Sequence, residues 1–276
     1  MENPKISVIM ATFNCEKTVE KAIDSILAQT YTNWVMIVCD DGSTDGTLNI
    51  LNRYAAQHPG KFVVICNDRN RKLPYSLNHC LQYVQTELVA RMDGDDWSVP
   101  DRFEKQVAFL REHPEYDLVG TGVAVFDGDK RVAAIIKTPI PTKRTMLKEN
   151  AFSHASILTY KRVFDALGGY SLDPIAERVE DVDLWCRFLA ADFKGYNLSD
   201  ELYVIPEDDH VFRRRTFKAR LNSARTRSRG YRLMGYKGLV CYKPYLYTVK
   251  AFVPTCIYKK IHNSKLAKRK QLQVSE

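Results

Sequence analysis

Three carboxylates, Asp93, Asp95 and Asp96, fall within four positions of the stretch MDGDDWSVP, straight after an apolar run. Like charges this close repel, and each raises its neighbours' proton affinity unless something positive sits among them. The donor set is all hard oxygen, with no thiol or imidazole beside it, which suits Mg²⁺ or Mn²⁺ better than zinc. Such an ion takes one or two carboxylates and leaves positions for water and substrate phosphates. A calcium loop of the EF-hand type is excluded, because its sixth position would be Ser98 instead of glycine. DGSTDG at 41–46 begins like such a loop, but Asn52 stands where the closing glutamate belongs. The plainer alternative for the aspartates is a solvated turn with a helix cap.

Positioning these groups takes elements that the hydrophobic pattern outlines. KISVIMA reads as a buried strand and EKTVEKAIDSILAQ as a helix, with apolar residues at Val19, Ala22, Ile23, Ile26 and Leu27. WVMIVCD is a second strand, followed by a helix, DGTLNILNRYAAQ, with Ser43 or Thr44 as its cap. KFVVICN, PYSLNHCLQYV and LVARMD continue the alternation as strand, helix and strand. Such alternation implies βαβ crossovers and a mostly parallel, doubly wound α/β sheet. Sheets of this kind bind ligands outside the carboxyl ends of their strands. ATFN, DDGSTDG, NDRN and DGDD each follow a strand, so four polar clusters share one edge.

Past Pro100 the pattern changes. RFEKQVAFLREH reads as an amphipathic helix, and DLVGTGVAVFD with RVAAIIK as a hairpin joined through Gly128. SHASILTY is a further strand, a short helix ends at Gly168-Gly169, and EDVDLWCRFLAA is a helix whose opening acids suit the macrodipole.

With 276 residues, 45% apolar and 27% charged, the chain has an ordinary globular composition and enough length for a substantial core. Its seven cysteines are scattered and lack a C-x-x-C pair, which argues against a disulfide framework or zinc knuckle and for a reducing compartment. MENPKISVIM reads as a first strand rather than a cleaved leader, and no apolar run approaches the ~18 residues of a membrane span. The net charge of +8 is unevenly spread. The residues after His210 hold 18 of the 41 Lys and Arg but one of the 33 Asp and Glu, hence +17 against −9 for the first 210. An acidic body with a basic tail points to an anionic partner for the tail, phosphate groups or a membrane surface.

In order along the chain, ISVIMATFN, DDGSTDGT, MDGDDWSVPDRFEKQ and VEDVDLWCRF resemble the inverting family-2 glycosyltransferases of GT-A fold, of the bacterial polysaccharide-biosynthesis type. The resemblance runs from about Lys5 to about Pro206. It implies a catalytic domain over 1–210, with a nucleotide-binding half at about 1–98 and an acceptor-binding half at 99–210. Residues 211–276 are then a basic, amphipathic and helical C-terminal extension.

The resemblance also assigns roles. Thr12, Phe13, Asn14 and Glu16 leave the first strand around the base and ribose of the donor. Asp41 accepts the N3–H of uracil, a donor that cytosine lacks, which favours a uridine or thymidine carrier; Asp40 holds the loop. Asn70 contributes from the loop after the third strand. Asp93, Gly94 and Asp95 match the D-x-D motif, with Asp95 on a Mn²⁺ or Mg²⁺ ion and Asp93 completing the site nearer the ribose. The ion ties the two phosphates together and offsets charge on the departing diphosphate. Asp181 is the base that deprotonates the acceptor hydroxyl, and Glu180 beside it raises its proton affinity. His154 lies near the diphosphate or acceptor, and Trp185 stacks on a sugar face, with core packing as its alternative.

Two departures matter. Asn70-Arg71-Lys72 stands where relatives carry N-x-G, which leaves the path of that loop open. The Q-x-x-R-W motif of processive synthases is absent, which favours one sugar per encounter. The basic run from Arg213 to Arg232 either closes over the diphosphate or meets an acceptor pyrophosphate, and the aromatics and lysines after it suit a headgroup zone. The expectation is a cytoplasmic enzyme, peripheral on the inner face of the cell membrane, that moves sugar from a UDP-sugar to a glycan or lipid-diphosphate-linked saccharide. Two rival classes stay open. A nucleotidyl- or phosphotransferase would use similar carboxylates, but ATFNCEK lacks the glycine of a phosphate loop. A nucleic-acid binder would use the basic tail, but no recognised module surrounds it and the acidic body would repel a duplex.

Overall fold

The computed structural model describes residues 3–207, 217–246 and Thr248. Strand β1 (Ile6–Thr12) sends Val8 and Met10 to one face and Ile9 to the other, and all three are fully buried. A strand that is apolar on both sides needs cover on both sides. The same holds for β2 (Trp34–Asp40), where Met36 and Val38 oppose Ile37 and Cys39. Helices α1 (Val19–Leu27), α2 (Thr47–Gln57) and α4 (Arg102–Glu112) close one face with Ile23, Leu51 and Phe103. Helices α3 (Leu73–Gln82), α5 (Lys161–Leu167) and α6 (Glu180–Ala190) close the other with Leu77, Phe164 and Trp185.

Among the described residues the sheet has nine strands in the order β3-β2-β1-β4-β8-β6-β9-β5, with β7 paired to β6. The new members are β3 (Phe62–Cys66), β4 (Leu88–Asp93), β5 (Trp97–Ser98), β6 (Leu118–Asp127), β7 (Lys130–Ile135), β8 (Leu158–Tyr160) and β9 (Gly195–Pro206). The first four strands by position, β3-β2-β1-β4, are parallel as expected. Past β4 the order is mixed: β8 runs antiparallel to both β4 and β6, and β5 antiparallel to β9, while β6 and β9 pair in parallel. The result is a mixed sheet. The register aligns the carboxyl ends, because Thr12 pairs with Asp40, Asp40 with Cys66, and Ala11 with Asp93. Four polar loops therefore form one rim.

The expected hairpin is β6-β7, with Gly128 in its turn at φ 57°. SHASILTY is strand only from Leu158; its first half is a short 3₁₀ turn, His154–Ser156. Helix α7 (Phe217–Leu233) lies against α6, and the approach is close at Gly230, where a Cβ would collide with Cys186 Sγ. Tyr231, Met234 and Cys241 carry the chain into the same core as α6. A 3₁₀ turn (Gly238–Tyr242) and the four-residue α8 (Lys243–Leu246) follow. Among the described residues no helix is long and apolar enough to cross a membrane. The arginines at 213–215 and nearly all of the aromatic and basic stretch from 247 onward lie outside the described residues.

Candidate functional site

The rim is built from loops that lock into one another. Asn14, in the left-handed region at φ 53°, donates its N–H to Ser43 Oγ at 2.9 Å and accepts from the Thr44 N–H at 2.9 Å. Glu16 accepts from the Gly46 N–H at 2.8 Å and donates its own N–H to Asp45. Asn14 and Glu16 thus fasten the loop after β1 to the loop after β2. Ser43 and Thr44 are occupied there and do not cap α2. That service falls to Asp45, whose Oδ1 accepts from both the N–H and the hydroxyl of Thr47. Thr12, expected in the loop around the base and ribose, turns its side chain inward: it is 2% exposed and its hydroxyl reaches back to the Cys39 carbonyl. The neighbouring Phe13, 42% exposed, presents the open apolar surface on this loop. Gly94 comes so near that a Cβ would meet Thr12 Cγ2 at 3.0 Å.

Asp41 is buried and holds the loop after β3. Its Oδ1 accepts from Asn67 Nδ2 at 2.7 Å and the Arg71 N–H at 2.8 Å, and its Oδ2 accepts from the Lys72 N–H at 2.8 Å. A carboxylate has about four lone-pair sites, so one acceptor position remains. Asp40, expected to hold the loop, accepts from the Ser43 N–H through Oδ2 at 3.0 Å. Lys72 takes φ 77° and ψ 158°, a conformation natural to glycine. The loop thus keeps a glycine-like path without the glycine, drawn in by Asp41 and by Asn70 Oδ1, which also accepts from the Lys72 N–H.

At the end of β4 the carboxylates of Asp93, Asp95 and Asp96 bring oxygens within 4.8 Å of one another. Arg91, fully enclosed, grips Asp93 with two guanidinium nitrogens at 2.5 Å. Asp96 has no such relief. Burial, then the charges of Asp93 and Asp95, push its pKa up to about 8, against a partial pull from Tyr203 and Arg91. An all-oxygen cluster that holds one carboxyl this far from its ordinary ionisation fits a hard divalent cation, with Asp93 and Asp95 as the expected ligands.

Across the same face, α6 opens with the second carboxylate pair. Burial, and after it the neighbouring Asp181, raise Glu180 to about 7. Burial also raises Asp181, while Arg227 and Arg91 restrain it. Asp181 Oδ2 accepts from Asn150 Nδ2 at 2.8 Å, and Asn150 Oδ1 accepts from Arg227 Nη2 at 2.9 Å. The base candidate is therefore oriented by a chain of two hydrogen bonds that starts on α7. His154 pairs with the Tyr170 hydroxyl at 2.9 Å, and burial together with Arg91 holds its imidazole well below its usual pKa. It is a neutral group, unable to offer a charge to a diphosphate. Trp185 does not stack on a sugar: it is 1% exposed, packed edge-on against Phe152 with centroids 5.0 Å apart. The spacing of α6 turns it inward with Phe188 and Leu189.

Arg91 and Asn150 are absent from the sequence-based set, and Arg227 entered it only as a member of the basic run from Arg213 to Arg232. Arg91 had a signal, since strand alternation puts residues i and i+2 on one face and so sets it beside Asp93. Asn150 had none, and nothing marked Arg227 out within its run, because Asn150 meets Asp181 from 31 positions away and Arg227 meets Asn150 from 77.

The chain matches the profile described as Glycosyl transferase family 2 over residues 7–166. It is 40% identical over 276 residues to the EpsE protein of Bacillus subtilis (strain 168), covering 97% of this chain and 96% of that one. S. aureus TarS in complex with UDP-GlcNAc superposes with a TM-score of 0.70 at 18% identity, covering 90% of this chain and 73% of that one. Against two other TarS chains the coverage falls to 65% and 39% of their length. The mannosyltransferase PcManGT of Pyrobaculum calidifontis, solved with GDP-Man and Mn²⁺, superposes with a TM-score of 0.63 at 20% identity over 91% of this chain and 70% of its own.

Proposed function

The chain belongs to glycosyltransferase family 2, and from that premise we propose that it moves one sugar, with inversion, from a UDP-sugar to a hydroxyl of a glycan or lipid-linked acceptor. The observation that carries the reading is the proximity of two sites: an oxygen cluster suited to a diphosphate-bound cation and, at the start of α6, a carboxylate with raised proton affinity held by Asn150, near enough that Asp93 acts on Glu180. Sugar transfer with inversion needs both, one for the leaving group and one for the nucleophile.

Asp181 Oδ2 is oriented by Asn150 and the carboxylate also accepts from the Val182 N–H; Oδ1 is the oxygen we assign to the acceptor's proton. As the acceptor oxygen bonds to the anomeric carbon, the bond from that carbon to the diphosphate breaks and the hydroxyl proton passes to Oδ1. Glu180, carrying a proton part of the time near neutrality, spares Asp181 a second adjacent charge. Asp93 and Asp95 would hold a Mn²⁺ or Mg²⁺ ion, which supplies Lewis-acid neutralisation of the diphosphate when bound. Asp41, Asn14 and the exposed ring of Phe13 orient the nucleoside, and the remaining acceptor site of Asp41 favours a base with an N–H at that edge.

Support for a membrane-side acceptor comes from the basic tail and from Leu239, Tyr242 and Leu246, all exposed beside Lys237 and Lys243. We place the enzyme on the inner face of the membrane. The test is a panel of UDP-, GDP- and dTDP-sugars with Mn²⁺, scored by thermal shift and by release of the nucleoside diphosphate. Stabilisation by uridine nucleotides alone is the expected result. A panel in which no uridine nucleotide stabilises the protein removes this donor assignment.

A further inference from the structure

A cleft of about 970 Å³ opens between α7 and the loops that carry Lys72, Lys148 and Arg178, with Glu180 in its wall. Six cationic side chains line it, Lys72, Lys148, Arg178, Arg220, Arg227 and Lys243, against two carboxylates, Glu177 and Glu180. Lys72, Lys148, Arg178 and Lys243 form no ion pair among the described residues. Uncompensated cations converging on a concave surface focus a positive potential into it.

The cleft is shaped as well as charged. The face of α7 turned to it alternates Arg220 and Arg227 with the small Ala219, Ser223 and Ala224, which leaves room between the two guanidinium groups. Lys72 at φ 77° and Arg178 at φ 65° both sit on its lip in the left-handed region, a conformation that costs lysine and arginine energy and tends to mark functional sites. None of Asp93, Asp95 and Asp96 borders the cleft, although the charge of Asp93 reaches Glu180 in its wall, so the cleft adjoins the corner suited to the donor's diphosphate without including it. It is nevertheless coupled to the base, because Arg227 reaches Asp181 through Asn150. The far lip is Lys243 and Pro244 of α8, flanked by the exposed Tyr242 and Leu246.

We propose that this cleft is an anion subsite for the acceptor, holding a phosphate or diphosphate ester through Lys72, Lys148, Arg178, Arg220 and Lys243 while the acceptor hydroxyl lies at Asp181. The assignment rests on the reading of Asp181 as the base. An acceptor anion placed here is neutralised before it approaches the carboxylate pair, and an apolar chain attached to it leaves over α8.

The test is titration calorimetry of the full-length protein with inorganic pyrophosphate in EDTA, with and without saturating UDP, beside sedimentation with phosphatidylglycerol vesicles. The Lys148→Ala/Lys243→Ala variant, at two exposed positions, should bind pyrophosphate about tenfold more weakly or worse, with an unchanged melting temperature. Lys148→Arg/Lys243→Arg should bind as the wild type does, and UDP should not displace the ligand. Equal affinity in the alanine variant, or full displacement by UDP, overturns the proposal. So does a loss confined to vesicle binding, which would make the lysines a lipid-headgroup surface. If pyrophosphate binding depends on the two lysines while no nucleotide sugar stabilises the protein, the anion site stands and the glycosyl-transfer reading falls.

Discussion

Arg91 and Asp93, two residues apart on one face of β4, meet through two nitrogen–oxygen contacts of 2.5 Å, the guanidinium enclosed and the carboxylate part-buried. Part of the positive charge that three crowded aspartates call for is thus built into the strand that presents them. The pair also sits between the two carboxylate sites, since Arg91 restrains Asp96, Glu180 and Asp181 alike.

Breaking this pair should unfold the corner before it alters chemistry. Arg91→Met leaves a part-buried carboxylate without its partner, which costs about 3–5 kcal/mol. Urea denaturation should show the loss as a lower midpoint with an unchanged slope. Arg91→Lys should recover only part of it, because one ammonium cannot bridge both oxygens of Asp93.

Asp181→Asn should lower turnover by about 100- to 10,000-fold while the affinity for the UDP-sugar, read by calorimetry, stays close to wild type. Asn150→Ala should produce a smaller fall in kcat with little change in donor KM, since it removes the orientation of the carboxylate and not the carboxylate itself. Equal losses of donor binding and turnover in Asp181→Asn would mark the residue as structural.

The pH dependence follows from the direction of the shifts. A base must be ionised to accept a proton, and burial raises both Glu180, to about 7, and Asp181. Activity should therefore rise with pH along an acid limb reaching toward neutrality, and Glu180→Gln should move that limb to lower pH by removing the adjacent charge. Stability runs the opposite way. The folded state binds the Glu180 proton more tightly than the unfolded chain does, so this contribution is full below the ordinary pKa of 4.5 and is lost as pH rises through about 7. Comparing melting temperatures of wild type and Glu180→Gln across that window checks the sign.

Lys72→Gly should stabilise the protein by about 1 kcal/mol, because glycine adopts φ 77° without the strain a lysine carries there. Calorimetric melting reads the gain. The same substitution removes a cation from the cleft, so weaker pyrophosphate binding should accompany the higher melting temperature.

Trp185→Ala should cost about 3–5 kcal/mol through the cavity it leaves against Phe152 and Phe188. Trp185→Phe should be far milder and should keep the acceptor KM, which a sugar-stacking role would not allow.

Local pattern alone was enough for the parallel half of the sheet and for the rim of polar loops, because alternation and helical spacing act over a few residues and each loop followed a readable strand. It was also enough for the cluster at Asp93–Asp96 and for the pair Glu180–Asp181, which are neighbours in the chain. What the pattern did not contain is where side chains turn and whom they meet at a distance. Trp185 and Thr12 look available in sequence, yet helix phase and strand register turn both inward. Lys72 departs from the family's glycine, yet the carboxylate of Asp41 from another loop holds the backbone on the glycine-like path. Asn150 and Arg227 join Asp181 only because Gly230 lets α7 lie close on α6. Sequence fixes which chemistry the chain carries, since that depends on residue types and short spacings; folding decides which of those groups face each other, since contacts across tens of residues arise only once the sheet and its covering helices have packed.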